Sequence, residues 1–339
     1  MQTRLTFFCE LDGPGLKKLF ENRFVYDDLK ALEASVSLGI LDFSDERADV
    51  VRKLNRLGIP VKAWLLLPKE QGYWFNLQNH KQAAQRYEAF KEWTETKKLK
   101  WSGVGLDIEP DINEMREAFS FKAKVLRKVF QRFGNKKKAE EAVLAYKKLA
   151  VTIRDDGYFL EAYHFPLIVD DRLAGSTALQ RLGGLVDIPV DREVLMLYSS
   201  FYRPIGHNIL WSYADEAQAI GIGSTGGGVE IRGEKEPAPL SWEELSADLR
   251  LAWQSGKPVY IFSLEGCVEK QYLPKLITFD WNKAITAPKT ALVDQSRKVL
   301  AGFLWLLQRP FIALAGLAGL IGVIATFRSG KKSEKRSKE

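Results

Sequence analysis

The chain has 339 residues, 46% hydrophobic and 27% charged, a balance that excludes a disordered polymer and suffices for one large core or two ordinary domains. The formal charge is +7, but residues 328–339 hold six basic and two acidic side chains, so the remainder carries only about +3, too little to argue for nucleic acid as a partner. Two cysteines without a CxxC and three scattered histidines exclude zinc-finger spacing and a histidine-rich metal centre, while an oxygen-ligand Mg²⁺ site stays open.

Taken in chain order, apolar runs alternate with amphipathic ones. "RLTFFCEL" (4–11) reads as a first strand, with Thr6, Phe8 and Glu10 on one face, and no signal-peptide core precedes it. "SVSLGILDF" (35–43) reads as the second strand, and "SDERADVVRKLNRLG" (44–58) as a helix with a Ser cap, acidic first turn and basic end. "VKAWLLLP" (61–68) is the third strand, followed by helical spacing over 79–98. "GVGLDIEP" (103–110) is the fourth, with Val104, Leu106 and Ile108 on one face and Gly103, Gly105, Asp107 and Glu109 on the other. A helix over 136–153 leads to "FLEAYHFPLI" (159–168), "VLMLYSSF" (194–201) and "AIGIGST" (219–225). Ser241 and Glu244 form a capping-box pattern opening a helix over 241–256, and "PVYIFSLEG" (258–266) is the eighth strand. The Gly-rich "GSTGGG" (223–228) lacks the Lys-Ser/Thr of a P-loop and reads as a loop able to approach a ligand or as a merely flexible one.

Strict alternation of strands and helices implies parallel strands, and eight units over about 280 residues fit a (β/α)₈ TIM barrel spanning 1–290. An open doubly wound sheet is the other solution, but no GxGxxG opens a helix. Beyond the barrel, the region 297–327 is expected to be a hydrophobic membrane segment and 328–339 a basic tail. Residues 310–327 contain no charge and reach the minimum length of a span. With no export signal read at the N-terminus, the barrel is expected on the cytoplasmic side, anchored to lipid by its C-terminus.

A TIM barrel places its site at the C-terminal strand ends. The groups read there are Glu10 and Asp12, Asp42, Tyr73 and Trp74, Asp107 and Glu109, Glu161 and Tyr163, Tyr198, and Glu265. Val259, Ile261, Ser263 and Glu265 are expected to share one face of the last strand, and Met196 and Tyr198 one face of the sixth. Crowded carboxyls raise one another's pKa, and carboxyls among aromatic side chains fit sugar chemistry: an acid for the glycosidic oxygen and rings to stack on pyranose faces. Cys9 and Cys267 sit on neighbouring first and eighth strands. Two separate buried thiols are the favoured reading over a disulfide.

The fourth-strand Asp107-x-Glu109 and the sixth-strand Met196-x-Tyr198 resemble the chitinase-like glycoside hydrolases of family 18, whose motifs are D-x-x-D-x-D-x-E and M-x-Y-D/N. The resemblance implies a TIM barrel acting on an N-acetylated glycan without a cofactor. Glu109 would be the general acid, Asp107 would orient the substrate N-acetyl group that acts as nucleophile, and Tyr198 would hydrogen-bond to it. The chain departs from those motifs at Ser102 and Gly105, at Ser199, and at the eighth strand, which offers Glu265 in place of a Trp. Two alternatives therefore stand beside a glycosidase. One is a membrane-anchored barrel that binds a glycan or protein without hydrolysing it. The other is a Mg²⁺-dependent phosphodiesterase using Glu10, Asp12, Asp107, Glu109 and Glu265 as ligands.

Overall fold

A computed structural model describes residues 4–114, 135–229 and 237–309. The strands are β1 (Leu5–Cys9), β2 (Ser35–Ile40), β3 (Val61–Leu65), β4 (Gly103–Ile108), β5 (Leu160–His164), β6 (Arg192–Met196), β7 (Ala219–Gly223) and β8 (Val259–Phe262). Each pairs in parallel with the next, and β8 returns to β1, with Leu5 opposite Val259 and Phe8 opposite Phe262. The barrel is closed: the fold is a TIM barrel. The described helices are α1 (Gly13–Glu21), α2 (Arg23–Ala31), α3 (Asp45–Arg56), α4 (His80–Lys97), α5 (Lys136–Asp155), α6 (Leu167–Leu173), α7 (Ala178–Gly183), α8 (Gly206–Tyr213), α9 (Trp242–Gln254), α10 (Leu264–Glu269), α11 (Tyr272–Ile277) and α12 (Ala291–Leu307).

Local signals set these boundaries. Ser44 Oγ accepts from the Arg47 amide at the start of α3. The expected capping box opens α9: Ser241 Oγ accepts from the Glu244 amide, and Glu244 accepts from the Ser241 amide.

The period-2 alternation divides the barrel into two cores. Outward residues such as Phe7, Leu38, Val104, Leu106, Ile108, Val259 and Ile261 pack under the helices. Inward residues, among them Phe8, Trp64, Tyr163, Met196 and Tyr260, fill the barrel. At the base, Glu161 Oε1 lies 2.9 Å from Lys62 Nζ and 3.4 Å from Arg192 Nη1, and accepts from the Tyr260 hydroxyl at 2.6 Å. Above it, Phe8 meets Trp64 and Tyr163 edge-on, with ring centroids 5.2 and 4.8 Å apart. Tyr163 Oη is 2.7 Å from Ser37 Oγ. Gly105 is required here, because a Cβ on it would stand 2.2 Å from that hydroxyl.

The last strand corrects one expectation. Val259 and Ile261 face outward, so Glu265 does not reach the mouth by strand parity. The strand ends at Phe262, Ser263 caps α10 by accepting from the Gly266 amide, and Glu265 sits in that helix's first turn.

The region expected to be membrane-embedded from residue 297 is divided. Residues 297–307 belong to α12, which starts at Ala291 and docks on the barrel: Leu304 is buried with Ala174 and Ala178. Residues 310–327 and the basic tail lie outside the described residues. Among the described residues, no helix is long and apolar enough to cross a membrane.

Candidate active site

Four carboxyls gather at the C-terminal end of the barrel: Glu10 past β1, Asp107 in β4, Glu109 just beyond it, and Glu265 on α10. Asp107 is 2% exposed and Glu109 half-buried. Trp64 Nε1 donates to Asp107 Oδ2 at 3.0 Å, while the buried Asp107 Oδ1 has no hydrogen-bond partner. The Tyr73 hydroxyl donates to Glu10 Oε1, and the Glu10 amide donates to Glu265 Oε1 at 3.2 Å. Glu265 Oε2 is buried without a partner.

Tyr73 and Trp74 come from the connection after β3. That segment is stitched to the end of β4: the Phe75 amide donates to the Asp107 carbonyl at 2.8 Å, and the Glu109 amide to the Phe75 carbonyl at 3.1 Å. Tyr73 has φ +65°, a left-handed conformation that bulky residues rarely adopt. Here the segment is fixed by the β4 pairing on one side and the Glu10 contact on the other. Tyr198 leaves β6 and stacks near Phe262, centroids 5.8 Å apart.

Among the described residues none of these four carboxyls is in an ion pair, and burial moves them in one direction. Burial raises Glu10 to about 8, against the Tyr73 hydrogen bond and with help from the charges of Glu265 and Asp107. Burial raises Glu265 to about 7. Asp107 and Glu109 titrate as a pair. Burial lifts both, and Asp107's charge then holds Glu109 well above the carboxyl range, so Glu109 is the member that keeps a proton. Burial and the same two carboxyls raise Tyr198 well above an ordinary phenol.

Several expected rim groups have other positions. Asp12 is exposed and caps α1, accepting from the Gly15 amide at 2.8 Å. Asp42 is held by the fully buried Arg47, with Nη2 to Oδ2 at 2.9 Å and Nε to Oδ1 at 3.2 Å. Glu161 and Tyr163 lie inside the barrel below the mouth, Glu161 neutralised at the base and Tyr163 under Gly105. Both lie within β5 on its inward face, and the strand runs on to His164, whose Nδ1 meets Glu193 at 2.7 Å. Without Asp12, the five-carboxylate metal set does not form, and among the described residues no group of three or more His, Cys, Asp or Glu side chains could hold a metal ion. Cys9 and Cys267 are both buried free thiols.

Two side chains absent from the sequence reading belong to the site. Trp64 pins Asp107, and its inward position follows from the alternation Lys62–Trp64–Leu66 opposite β4. Tyr202, four residues beyond Tyr198, feels the Glu109 charge, which raises it after burial does. The Gly-rich loop covers the site's own carboxyls. A Cβ on Gly227 (φ +79°) would lie 2.6 Å from Glu265 Oε1, and one on Gly228 (φ +98°) 2.7 Å from the Phe262 ring.

No protein-family model matches the chain, and no curated protein matches it in sequence. Among solved structures, the PgaB (BpsB) glycoside hydrolase domain from Bordetella bronchiseptica is similar at a TM-score of 0.48 and 10% identity, covering 84% of this chain and 100% of that one. An L-ribulose 3-epimerase is similar at a TM-score of 0.42 and 13% identity, covering 92% and 97%. A xylose isomerase domain protein from Planctomyces limnophilus is similar at a TM-score of 0.41 and 11% identity, covering 80% and 95%.

Proposed function

We propose that the barrel binds a glycan at its carboxyl-lined mouth and hydrolyses a glycosidic bond. Glu109 is the general acid, and Asp107 and Tyr198 orient the substrate. One observation carries this reading: Asp107 is pinned by Trp64 on one oxygen and left with a free buried acceptor on the other, beside a carboxyl that keeps its proton. A protonated carboxyl can give its proton to a leaving glycosidic oxygen near neutral pH. The free Asp107 Oδ1 can accept from a substrate N–H or O–H, such as that of an N-acetyl group. Glu10, Tyr73, Trp74 and Glu265 form the surrounding walls, the rings offering faces or edges to a pyranose.

A barrel that binds a glycan without cleaving it is the second reading. It is favoured by two positions where the family-18 pattern carries acidic or amide groups. Gly105 has no room for a side chain, and Ser199 donates to the buried Asp248 at 2.5 Å, away from the carboxyl cluster.

The test is turnover and binding of N-acetylated and unmodified oligosaccharides by wild type and Glu109→Gln. The expected result is turnover by wild type, falling about 10²–10⁴-fold in the variant while affinity is kept. Undiminished turnover in the variant removes Glu109 as the acid. Binding without turnover in wild type selects the second reading, and neither binding nor turnover overturns both.

A further inference from the structure

Helix α12 has two unlike faces. The inner one is fastened to the barrel. Arg297 Nε donates to Asp170 Oδ1 at 2.9 Å, its Nη2 to Glu216 Oε1 at 2.8 Å, and its guanidinium lies 3.7 Å from the Tyr213 ring centroid. Ser212 Oγ donates to Asp294 at 2.5 Å, Leu304 is buried at 1% exposure, and Gln308 Nε2 donates to Ser176 Oγ at 3.1 Å. These contacts span the helix from its first turn to its end.

The outer face carries Leu292, Val299, Phe303 and Leu306, spaced seven, four and three residues apart, so that they share one side of the helix. Their exposures are 81%, 67%, 57% and 40%, and Trp305 and Leu307 beside them are 40% and 41% exposed. From Val299 to Leu307 there is no polar side chain at all. Lys298 and Arg309 bracket that stretch, and Arg309 lies over the Trp305 ring, 4.2 Å from its centroid. Such an apolar stripe exceeds the scattered exposed hydrophobes normal on a soluble surface.

We propose that this outer face, from Val299 to Leu307, is a membrane-surface contact: α12 lies along a lipid bilayer with its apolar stripe in the interface and the barrel held on its other side. Lipid is the occupant that the surrounding chain indicates. The eighteen residues that follow, 310–327, are uncharged and predominantly apolar, and the tail after them carries six basic residues, a composition suited to acyl chains and anionic headgroups. Trp305 with its covering arginine fits the boundary between apolar and wet layers, and Lys298 and Arg309 are long enough to reach headgroups from either end of the stripe. The inner-face contacts forbid the other membrane geometry. A helix inserted across the bilayer would have to shed the barrel along Arg297, Leu304 and Gln308, so α12 is not the beginning of a span.

The test uses the full chain, reconstituted into phosphatidylcholine–phosphatidylglycerol vesicles. A fluorophore is attached through Phe303→Cys, and in a separate protein through Leu144→Cys on α5, which is 66% exposed on another helix. Both native thiols are buried. The expected result is that the label at 303 is quenched by nitroxide-bearing lipid and shielded from iodide, whereas the label at 144 shows the reverse. Iodide quenching at 303 on vesicle-bound protein overturns the proposal, because the tail alone would then hold the membrane. Shielding of 303 from both quenchers also overturns it, because the stripe would then be covered by protein, either residues 310–327 or a second copy.

Discussion

The base and the mouth of this barrel both bury carboxyls, and they handle them in opposite ways. At the base, Glu161 is met by Lys62, Arg192 and the Tyr260 hydroxyl within 3.4 Å, so its charge is answered inside the protein. At the mouth, burial raises Glu10, Asp107, Glu109 and Glu265, neighbouring carboxylates raise Glu10 and Glu109 further, and two of the cluster's buried oxygens have no partner. A satisfied buried ion pair rigidifies its surroundings, whereas unsatisfied buried acceptors mark a place where stability has been given up. The contrast teaches which carboxyl is architecture and which is available for chemistry, although Glu161 and Asp107 both lie on inward faces of the same sheet.

The strongest way to break this comparison is Glu161→Gln. Removing one partner of a buried ion pair leaves the cations uncompensated, and the expected loss is about 3–5 kcal/mol in urea unfolding. A loss under about 1 kcal/mol, the surface-pair scale, would show the base to be solvated and the contrast false.

Next comes pH. Glu10 and Glu265 have folded pKa values of about 8 and about 7, above 4.5, so the folded chain holds protons that the unfolded chain releases. Their contribution is therefore most favourable below about pH 4.5 and is lost as pH rises through 7 and 8. Asp42 and Glu193 act with the opposite sign. Burial works against them, but hydrogen bonds from Arg47 and Ser44 hold Asp42 at about 2, and those from His164 and Arg172 hold Glu193 at about 2. Their stabilisation is present above the ordinary carboxyl range and disappears as pH falls towards 2. Urea midpoints at pH 5, 7 and 8.5 should therefore decline, and Glu10→Gln with Glu265→Gln should flatten the decline. An equal slope in wild type and the double variant would refute the mouth assignment.

Gly105→Ala probes the layer between the two regions. The added methyl collides with the Tyr163 hydroxyl, costing about 1–3 kcal/mol, and Tyr163→Phe in the same chain should recover part of that loss. Strict additivity of the two changes would mean that the hydroxyl is not what fills the space. The smallest effect is expected for Asp107→Asn, which keeps a partner for Trp64 and removes a poorly answered charge. Thermal unfolding should show a gain of about 0.5–2 kcal/mol, with turnover lost. A destabilisation as large as that of Glu161→Gln would place Asp107 with the architecture instead.

The barrel itself was written in the chain. Eight β-rich runs separated by amphipathic stretches permit few closed topologies, and Ser44, Ser241 and Glu244 mark helix starts through bonds only three residues long. The alternation in "GVGLDI" also sent Asp107 inward with no tertiary information, because side-chain period is a property of the strand alone. Tertiary structure decided what each carboxyl meets. Glu161 and Asp107 both lie on inward faces, and only the stagger of neighbouring strands put Lys62 and Arg192 beside the first and Trp64 beside the second. Glu265 reached the mouth through a helical turn that strand parity could not describe, and Asp12 and Asp42 were claimed by a cap and by Arg47. Hydrophobic period is set by the backbone within a few residues, whereas the charge of Glu161 is answered by whatever the closed barrel brings within about 4 Å, and its cationic partners Arg192 and Lys62 stand 31 and 99 residues away along the chain.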